Sequence, residues 1–238
     1  MNATVSPFHR PGPFMLPAGP AGAVRLATAY VALLNHRAGI AALGEAVDRP
    51  PYKAPPKAPV LGIKPRNCFV GQGEAIVVPA GVDELQMAPT LGIVIGRTAR
   101  GVSESAAWDF IAGYTVCNDV SLPHPSHYRP AMRWRCRDTF LPVGPLLTAT
   151  ARVRQPDALE MIMSVDGREV FRASTGGMQR PTARLLAEVS AFMTLAAGDL
   201  LMLGTPHGAP RARVGQRVAI AIDGLGSLSN PLRAEGTA

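Results

Sequence analysis

Apolar residues along this chain fall in short blocks broken by Gly, Pro and charged residues, not in long helical stripes. "AYVALLNHR" (29–37) reads as a first strand. "VLGIK" (60–64) and "EAIVVP" (74–79) are β-branched and bounded by Gly and Pro, which marks strands. "TLGIVIGR" (90–97), "YTVCNDV" (114–120), "DLLMLGTP" (199–206) and "QRVAIAID" (216–223) continue the series. "LEMIMSVDGREVFRAS" (159–174) is a hairpin, because alternating residues flank Asp166–Gly167, a favoured two-residue turn. Two segments carry helical signals instead. "SESAAWDFIAG" (103–113) opens at Ser103 and closes near Gly113. "RPTARLLAEVSAFMTL" (180–195) has Pro181 in its first turn and an apolar stripe of Leu185, Leu186, Val189, Phe192 and Met193. "RPPYKAPPKAP" (49–59) is a Pro-rich loop. The layout is not a strict βα alternation. It predicts one compact domain over 26–238, mostly β (α+β), made of mixed sheets.

Composition fits that picture. With 238 residues the chain is long enough for a sizeable core, and 47% hydrophobic with 17% charged residues is an ordinary globular balance. No stretch approaches the roughly 20 apolar residues of a membrane span, so no membrane partner is expected. The first 25 or so residues are rich in Pro and Gly, lack the pattern of a signal peptide, and predict a poorly ordered or loosely docked arm. Cys68, Cys117 and Cys136 form no CxxC pair, and their odd number argues against a disulfide framework, which points to the cytoplasm.

The net charge of +7 comes almost wholly from scattered Arg residues. "YRPAMRWRCRD" (128–138) alone concentrates them, as Arg129, Arg133, Arg135 and Arg137. Such a segment is either a solvated basic loop or a reader of carboxylates, which the flat guanidinium fork suits. Without a basic block or an RNA-binding signature, nucleic acid is not an expected partner.

Several catalytic machines are excluded. There is no GxSxG elbow and no P-loop, and "GQGEAI" (71–76) lacks the third glycine of a dinucleotide loop. His36, His124, His127 and His207 lack zinc-ligand spacing and read individually as surface or turn residues. What remains is a set of polar residues ending apolar strands: Lys64, Asp119 and Thr205. A buried ammonium needs an anion, unless its stem snorkels to solvent. An Asp at such a place is a turn former, a metal ligand or a catalytic group.

"IKP" (63–65), "GYTVCNDVS" (113–121), "RDTFLPVGP" (137–145), "VDGREV" (165–170) and "LLMLGTP" (200–206) occur here in the order seen in the fumarylacetoacetate hydrolase family, and the chain resembles that family from about Ala29 to Leu232. "LNHR", "PYKAPPKAPV", "IKPRN", "NDVSLP" and "YRPAMRWRCRD" add a more detailed resemblance. They are similar to the amino-terminal half of the bifunctional isomerase/decarboxylases of 4-hydroxyphenylacetate (homoprotocatechuate) degradation. The resemblance implies a β-rich roll of mixed sheets with a few short helices. It implies a 2-oxo-dicarboxylate type of substrate, and a homo-oligomer or an oligomer with a sister subunit. The implied reaction, of the 5-oxopent-3-ene-1,2,5-tricarboxylate decarboxylase type, is decarboxylation followed by migration of a double bond.

The resemblance also implies a divalent metal, commonly magnesium, held by two glutamates of a Glu-x-Glu-Leu pattern and the aspartate of the "ND" motif. Asp119 matches that aspartate, but the glutamate positions correspond to Ala88 and Thr90. The family's catalytic His and Glu fall near Gly39 and Ala42, and the lysine before "RD" in the related isomerase half corresponds to Arg135. The expected site is therefore Lys64, Asp119 and Arg135 as catalytic residues, Arg129 and Thr205 gripping carboxylates, and a weak or absent metal on Asp119. Two other readings stand beside it: a degenerate, non-catalytic partner of an intact sister chain, and an acylpyruvate hydrolase or decarboxylase. The missing His–Glu pair speaks against hydrolysis, since no evident group is left to activate water.

Overall fold

The computed structural model describes residues 12–124 and 131–236. Strands β1 (Phe14–Pro17), β2 (Ala23–Leu26) and β3 (Ala29–Leu33) lead into helix α1 (Arg37–Ala41). Next come β4 (Val60–Lys64), β5 (Phe69–Val70), β6 (Ile76–Val78), β7 (Glu84–Gln86), β8 (Pro89–Ile95) and β9 (Ile111–Asn118). Helix α2 (Met132–Arg135) precedes β10 (Leu141–Ala149) and the hairpin β11 (Glu160–Val165) and β12 (Arg168–Ser174). Helix α3 (Thr182–Phe192) and strands β13 (Leu200–Met202), β14 (Arg211–Arg213), β15 (Arg217–Ile222) and β16 (Gly226–Ala234) complete the described chain.

A seven-stranded sheet runs in the order β4-β3-β13-β8-β9-β10-β5, and a five-stranded sheet in the order β12-β11-β15-β16-β6. Pairing is mixed: β3–β13, β5–β10 and β6–β16 are parallel, the other neighbours antiparallel. This is the expected mostly β class. One face of the large sheet meets the small one through Leu91, Ile93, Val116, Met161, Met163 and Ile220. Its other face carries Val31, Cys117, Leu200 and Met202, covered by Phe14, Leu16 and Leu26. With both faces covered, β8 is buried along its whole length. Gly92 leaves room for side chains of its neighbouring strands in the same sheet, because a Cβ there would stand 2.6 Å from Cys117 Sγ and 2.9 Å from Leu200 Cδ1.

Three expectations change. "SESAAWDFIAG" is not an α-helix: only Ala107–Phe110 forms a 3-10 turn, and Ile111 already belongs to β9. β9 lies between β8 and β10 and gains a hydrogen-bond ladder on each side, which outweighs local helix signals. In α3, Leu185, Leu186 and Val189 are buried, but Phe192 at the last position is exposed and Met193 lies beyond it. Pro181 stands before the helix, with extended ψ 169°, and Asp157 Oδ1 accepts from Thr182 N at 2.8 Å and Thr182 Oγ1 at 2.7 Å. The arm is described from residue 12 on. There β1 and β2 pair and bury Phe14 and Leu16 against the large sheet, which is firmer docking than Pro and Gly content suggests.

The large sheet curls until its two edges meet. β4 and β5 are its outermost strands, yet only residues 65–68 separate them in the chain. Lys64, fully buried, bridges this seam: Nζ donates to Val120 O at 2.5 Å, Arg135 O at 2.6 Å and Phe140 O at 2.9 Å. Three carbonyls require three N–H hydrogens, which only the ammonium form has. Burial pulls the Lys64 pKa down, the Asp119 carboxylate beside it pulls back up, and the three acceptors settle the charged form. The expectation that Lys64 snorkels or holds substrate is thereby corrected. Lys64→Met should cost about 3 to 5 kcal/mol, since it strands buried polar groups. Urea titration checks this, and a loss below about 1 kcal/mol would show that the seam does not depend on the ammonium.

Candidate functional site

A cavity of about 690 Å³ opens at one end of the large sheet. His36, Asp119, Arg135, Thr205, His207 and Arg211 stand in its wall. The site residues expected from strand ends do meet: Asp119 and Thr205 share the cavity, and Lys64 touches Asp119 from behind it. Arg135, expected as a partner, lies in the same wall. Arg129 lies outside the described residues.

Each of these side chains is placed by backbone pairing. Asp119 follows the last residue of β9, and its N–H donates to Ala88 O at 2.9 Å. Asn118 Oδ1 returns the contact by accepting from Ala88 N at 2.8 Å. The "ND" pair thus fixes the entry of β8. Thr205 follows β13 through Gly204, whose φ of +102° and 2.5 Å virtual Cβ contact with Ala32 O demand glycine. Thr90 Oγ1 donates to Gly204 O at 2.8 Å and accepts from Gly204 N at 3.1 Å, so it anchors this turn. Asn35 connects the cavity's far side: Nδ2 donates to Arg180 O at 3.0 Å and Leu203 O at 2.8 Å, and Oδ1 accepts from Arg180 N at 3.0 Å. It holds the exit of β3, where His36 sits, against the exit of β13, where Thr205 sits.

Charge defines the cavity's inner wall. Arg135 donates through Nη2 to Asp119 Oδ2, its one hydrogen bond from the guanidinium among the described residues. Asp119 Oδ1 forms an ion pair with Lys64 Nζ at 3.1 Å, while the ammonium's hydrogen bonds go to three carbonyls. Burial alone would raise the Asp119 pKa, but Arg135 and Lys64 together outweigh it and hold the carboxyl below its ordinary value. At neutral pH, two cations and one carboxylate leave one net positive charge. The free edge of the Arg135 guanidinium carries it to the cavity.

The dication expected on Asp119 does not fit these residues. Hard dications take about six oxygens with carboxylate help. Here one Asp119 oxygen is held by Arg135 and the other faces an ammonium. Thr90 Oγ1 is committed to Gly204, and Ala88 O to the Asp119 amide. Among the described residues no group of three His, Cys, Asp or Glu side chains could hold a metal ion. A dication would also enter a cluster that is already positive.

Three buried side-chain atoms among the described residues lack a hydrogen-bond partner: His36 Nδ1, Asp119 Oδ1 and Thr205 Oγ1. All three belong to residues in this one cavity wall. An unsatisfied buried polar group costs about 1–3 kcal/mol, and binding or catalysis is a usual reason for keeping one. His36 was passed over in the sequence because it has no metal spacing. "LNHR" directly after an apolar strand was the available signal.

The profile described as fumarylacetoacetate (FAA) hydrolase C-terminal matches residues 28–233. A curated relative, the 4-hydroxyphenylacetate degradation bifunctional isomerase/decarboxylase of Salmonella dublin, is 43% identical over 208 residues, 87% of this chain and 47% of its own length. The chain thus spans about half the length of the curated relatives of this kind. In structure it is similar to 5-carboxymethyl-2-hydroxymuconate delta-isomerase from Mycobacterium smegmatis, with a TM-score of 0.78 and 30% identity, covering 94% of this chain and 83% of that one. Maleylpyruvate hydrolase from Sphingobium sp. SYK-6, in complex with manganese (II) ion and pyruvate, is 26% identical with a TM-score of 0.72, covering 87% and 70%. Sequence and fold agree, and this chain belongs to the fumarylacetoacetate hydrolase family.

Proposed function

We propose that this chain acts on a 2-oxo-dicarboxylate or tricarboxylate in aromatic-compound catabolism. We take it as a decarboxylase/isomerase of the 5-oxopent-3-ene-1,2,5-tricarboxylate decarboxylase type, a single family domain over 26–238 working in an oligomer. The similarity to isomerase/decarboxylases supports the reaction class. The observation that carries the reading is the net positive Lys64–Asp119–Arg135 cluster, of which Asp119 and Arg135 stand in the cavity wall.

The chemistry follows from that charge. In decarboxylation, the C–C bond to the leaving carboxylate breaks and carbon dioxide departs. The electron pair runs through the conjugated carbons to the 2-oxo oxygen. The free edge of Arg135 is the cation that stabilises the enolate developing there. Asp119 orients the guanidinium, and Lys64 holds Asp119 in turn, so Lys64 acts as a positioning residue. Thr205 offers its hydroxyl to a substrate carboxylate, with Arg129 a further candidate for the same task. No step is assigned to a metal.

A second reading draws on the same misfit of the metal site: a partner subunit that shapes a sister chain and turns nothing over itself. An assay of this chain alone and mixed with a sister subunit separates the two. Arg135→Gln should lower kcat/KM for an unsaturated 2-oxo-tricarboxylate about 10²- to 10³-fold with the fold intact. Unchanged binding and turnover would reduce Arg135 to a structural charge. Excess chelator should leave activity within about two-fold, and titration calorimetry should find no Mg or Mn site tighter than about millimolar. Micromolar binding that involves Asp119 would overturn the metal-free reading.

A further inference from the structure

A 2-oxo-dicarboxylate brings a second carboxylate, remote from its 2-oxo group, and the Asp119–Arg135 pair leaves it unaccounted for. Resting on the function proposed above, we propose that Ser121 and Arg211 form the subsite that binds this remote carboxylate, with Gln86 as the positioning residue between them.

Backbone register puts the three residues in one row. Beyond the paired ends of β8 and β9 the two segments stay together: Gln86 N donates to Ser121 O at 2.8 Å, and Ser121 N donates to Gln86 O at 3.1 Å. On its other side Gln86 pairs with Arg211, across β7 and β14. Residues directly opposite in antiparallel pairs project from the same face. Ser121, Gln86 and Arg211 all stand in the cavity wall. The alternate residues Leu85, Val120 and Ala212 are buried in the core behind it, as a period of two requires.

The side chains of this row have donors to spare. Ser121 is only 2% exposed, and its hydroxyl makes no hydrogen bond among the described residues. It is not one of the fully buried unpartnered atoms, so the surface it keeps opens to the cavity. Arg211 has a half-exposed side chain, and its Nη1 donates to Glu84 Oε1. That bond leans the guanidinium toward β7, the strand between Arg211 and Ser121. The other guanidinium N–H groups make no hydrogen bond among the described residues. Glu84 is shared with Arg213, whose Nε lies 3.6 Å away. The bond from Arg211 above all holds the Glu84 carboxyl below its ordinary value, so it is ionised at neutral pH. Two cations thus share one anion, and one net positive charge remains.

Gln86 acts through its neighbours. Its Nε2 donates to Ala209 O at 2.7 Å and Pro210 O at 3.0 Å. The amide is spent on the loop that joins Thr205 to Arg211, and it fixes where Arg211 stands. The spacing suits one ligand. Asp119 and Ser121 are two residues apart on the same face, at most about 7 Å at about 3.4 Å per residue. In a six-carbon 2-oxo-dicarboxylate, four bonds of about 1.5 Å in zigzag put the remote carboxyl carbon about 5 Å from the 2-oxo carbon. One molecule therefore bridges from Arg135 to the Ser121–Arg211 subsite.

The test is calorimetry on the full-length protein with 2-oxoadipate and with 2-oxohexanoate, which has a methyl group in place of the remote carboxylate. The wild type should bind 2-oxoadipate at least about 10-fold more tightly. Arg211→Gln should bring the two affinities within about two-fold of each other and leave that of 2-oxohexanoate within about two-fold of wild type. Ser121→Ala should cut the preference at least about three-fold. Arg217→Gln removes the same charge outside the cavity wall and should leave the preference within about two-fold. A wild type that binds both ligands equally overturns the subsite and leaves the function above standing. So does an Arg211→Gln protein that keeps the preference or weakens both ligands alike, and so does an equal loss in Arg217→Gln. An unchanged preference in Ser121→Ala overturns the two-point site. A wild type that binds neither ligand overturns the proposed function, and this inference with it.

Discussion

The buried ammonium of Lys64 is the interaction on which the rest of the site depends. The large sheet must curl back on itself, and its seam joins segments that carry unpaired carbonyls at Val120, Arg135 and Phe140. A single group with three donors satisfies all three. Because that group is charged, it needs an anion, and Asp119 stands 3.1 Å away. One closure problem in the backbone thus fixes where a carboxylate must lie. Asp119 in turn holds Arg135, which faces the cavity. Fold and electrostatics are coupled through one side chain.

The same coupling explains why the family's metal chemistry does not carry over to these residues. A dication site needs carboxylates with free lone pairs. At the two positions expected to supply them, Ala88 gives only backbone and Thr90 spends its hydroxyl fixing the Gly204 turn. The remaining carboxylate is neutralised from two sides by protein cations. In the proposed reaction the positive charge for an enolate is that of a guanidinium that is part of the fold. Such a charge is preorganised, and its orientation is set by Asp119.

The cavity wall combines groups of different chemistry. Part of this wall is the Asp119–Arg135 ion pair. His36 and His207 bring imidazoles to the same wall. Asn35, beside His36, ties the exit of β3 to Leu203 and Arg180.

The amino-acid sequence determined by itself the mostly β class, the strands at the centre of the large sheet, the hairpin at Asp166–Gly167 and the grouping of Asp119, Arg135 and Thr205, but not the long strands β10 and β16. The features it determined followed from local alternation, turn chemistry and motif order, which neighbours in the chain control. It misjudged the 103–113 segment, because a sheet edge waiting on either side of Ile111 is not visible locally. It misjudged the docking of Phe14 and Leu16, which depends on a distant apolar face. Lys64 was read as a substrate cation because its three acceptors lie 56, 71 and 76 residues away. Local pattern determines which elements form. Which hydrogens find partners, and which are left facing a cavity, is decided by contacts between residues far apart in the chain, and only the closed tertiary structure makes those.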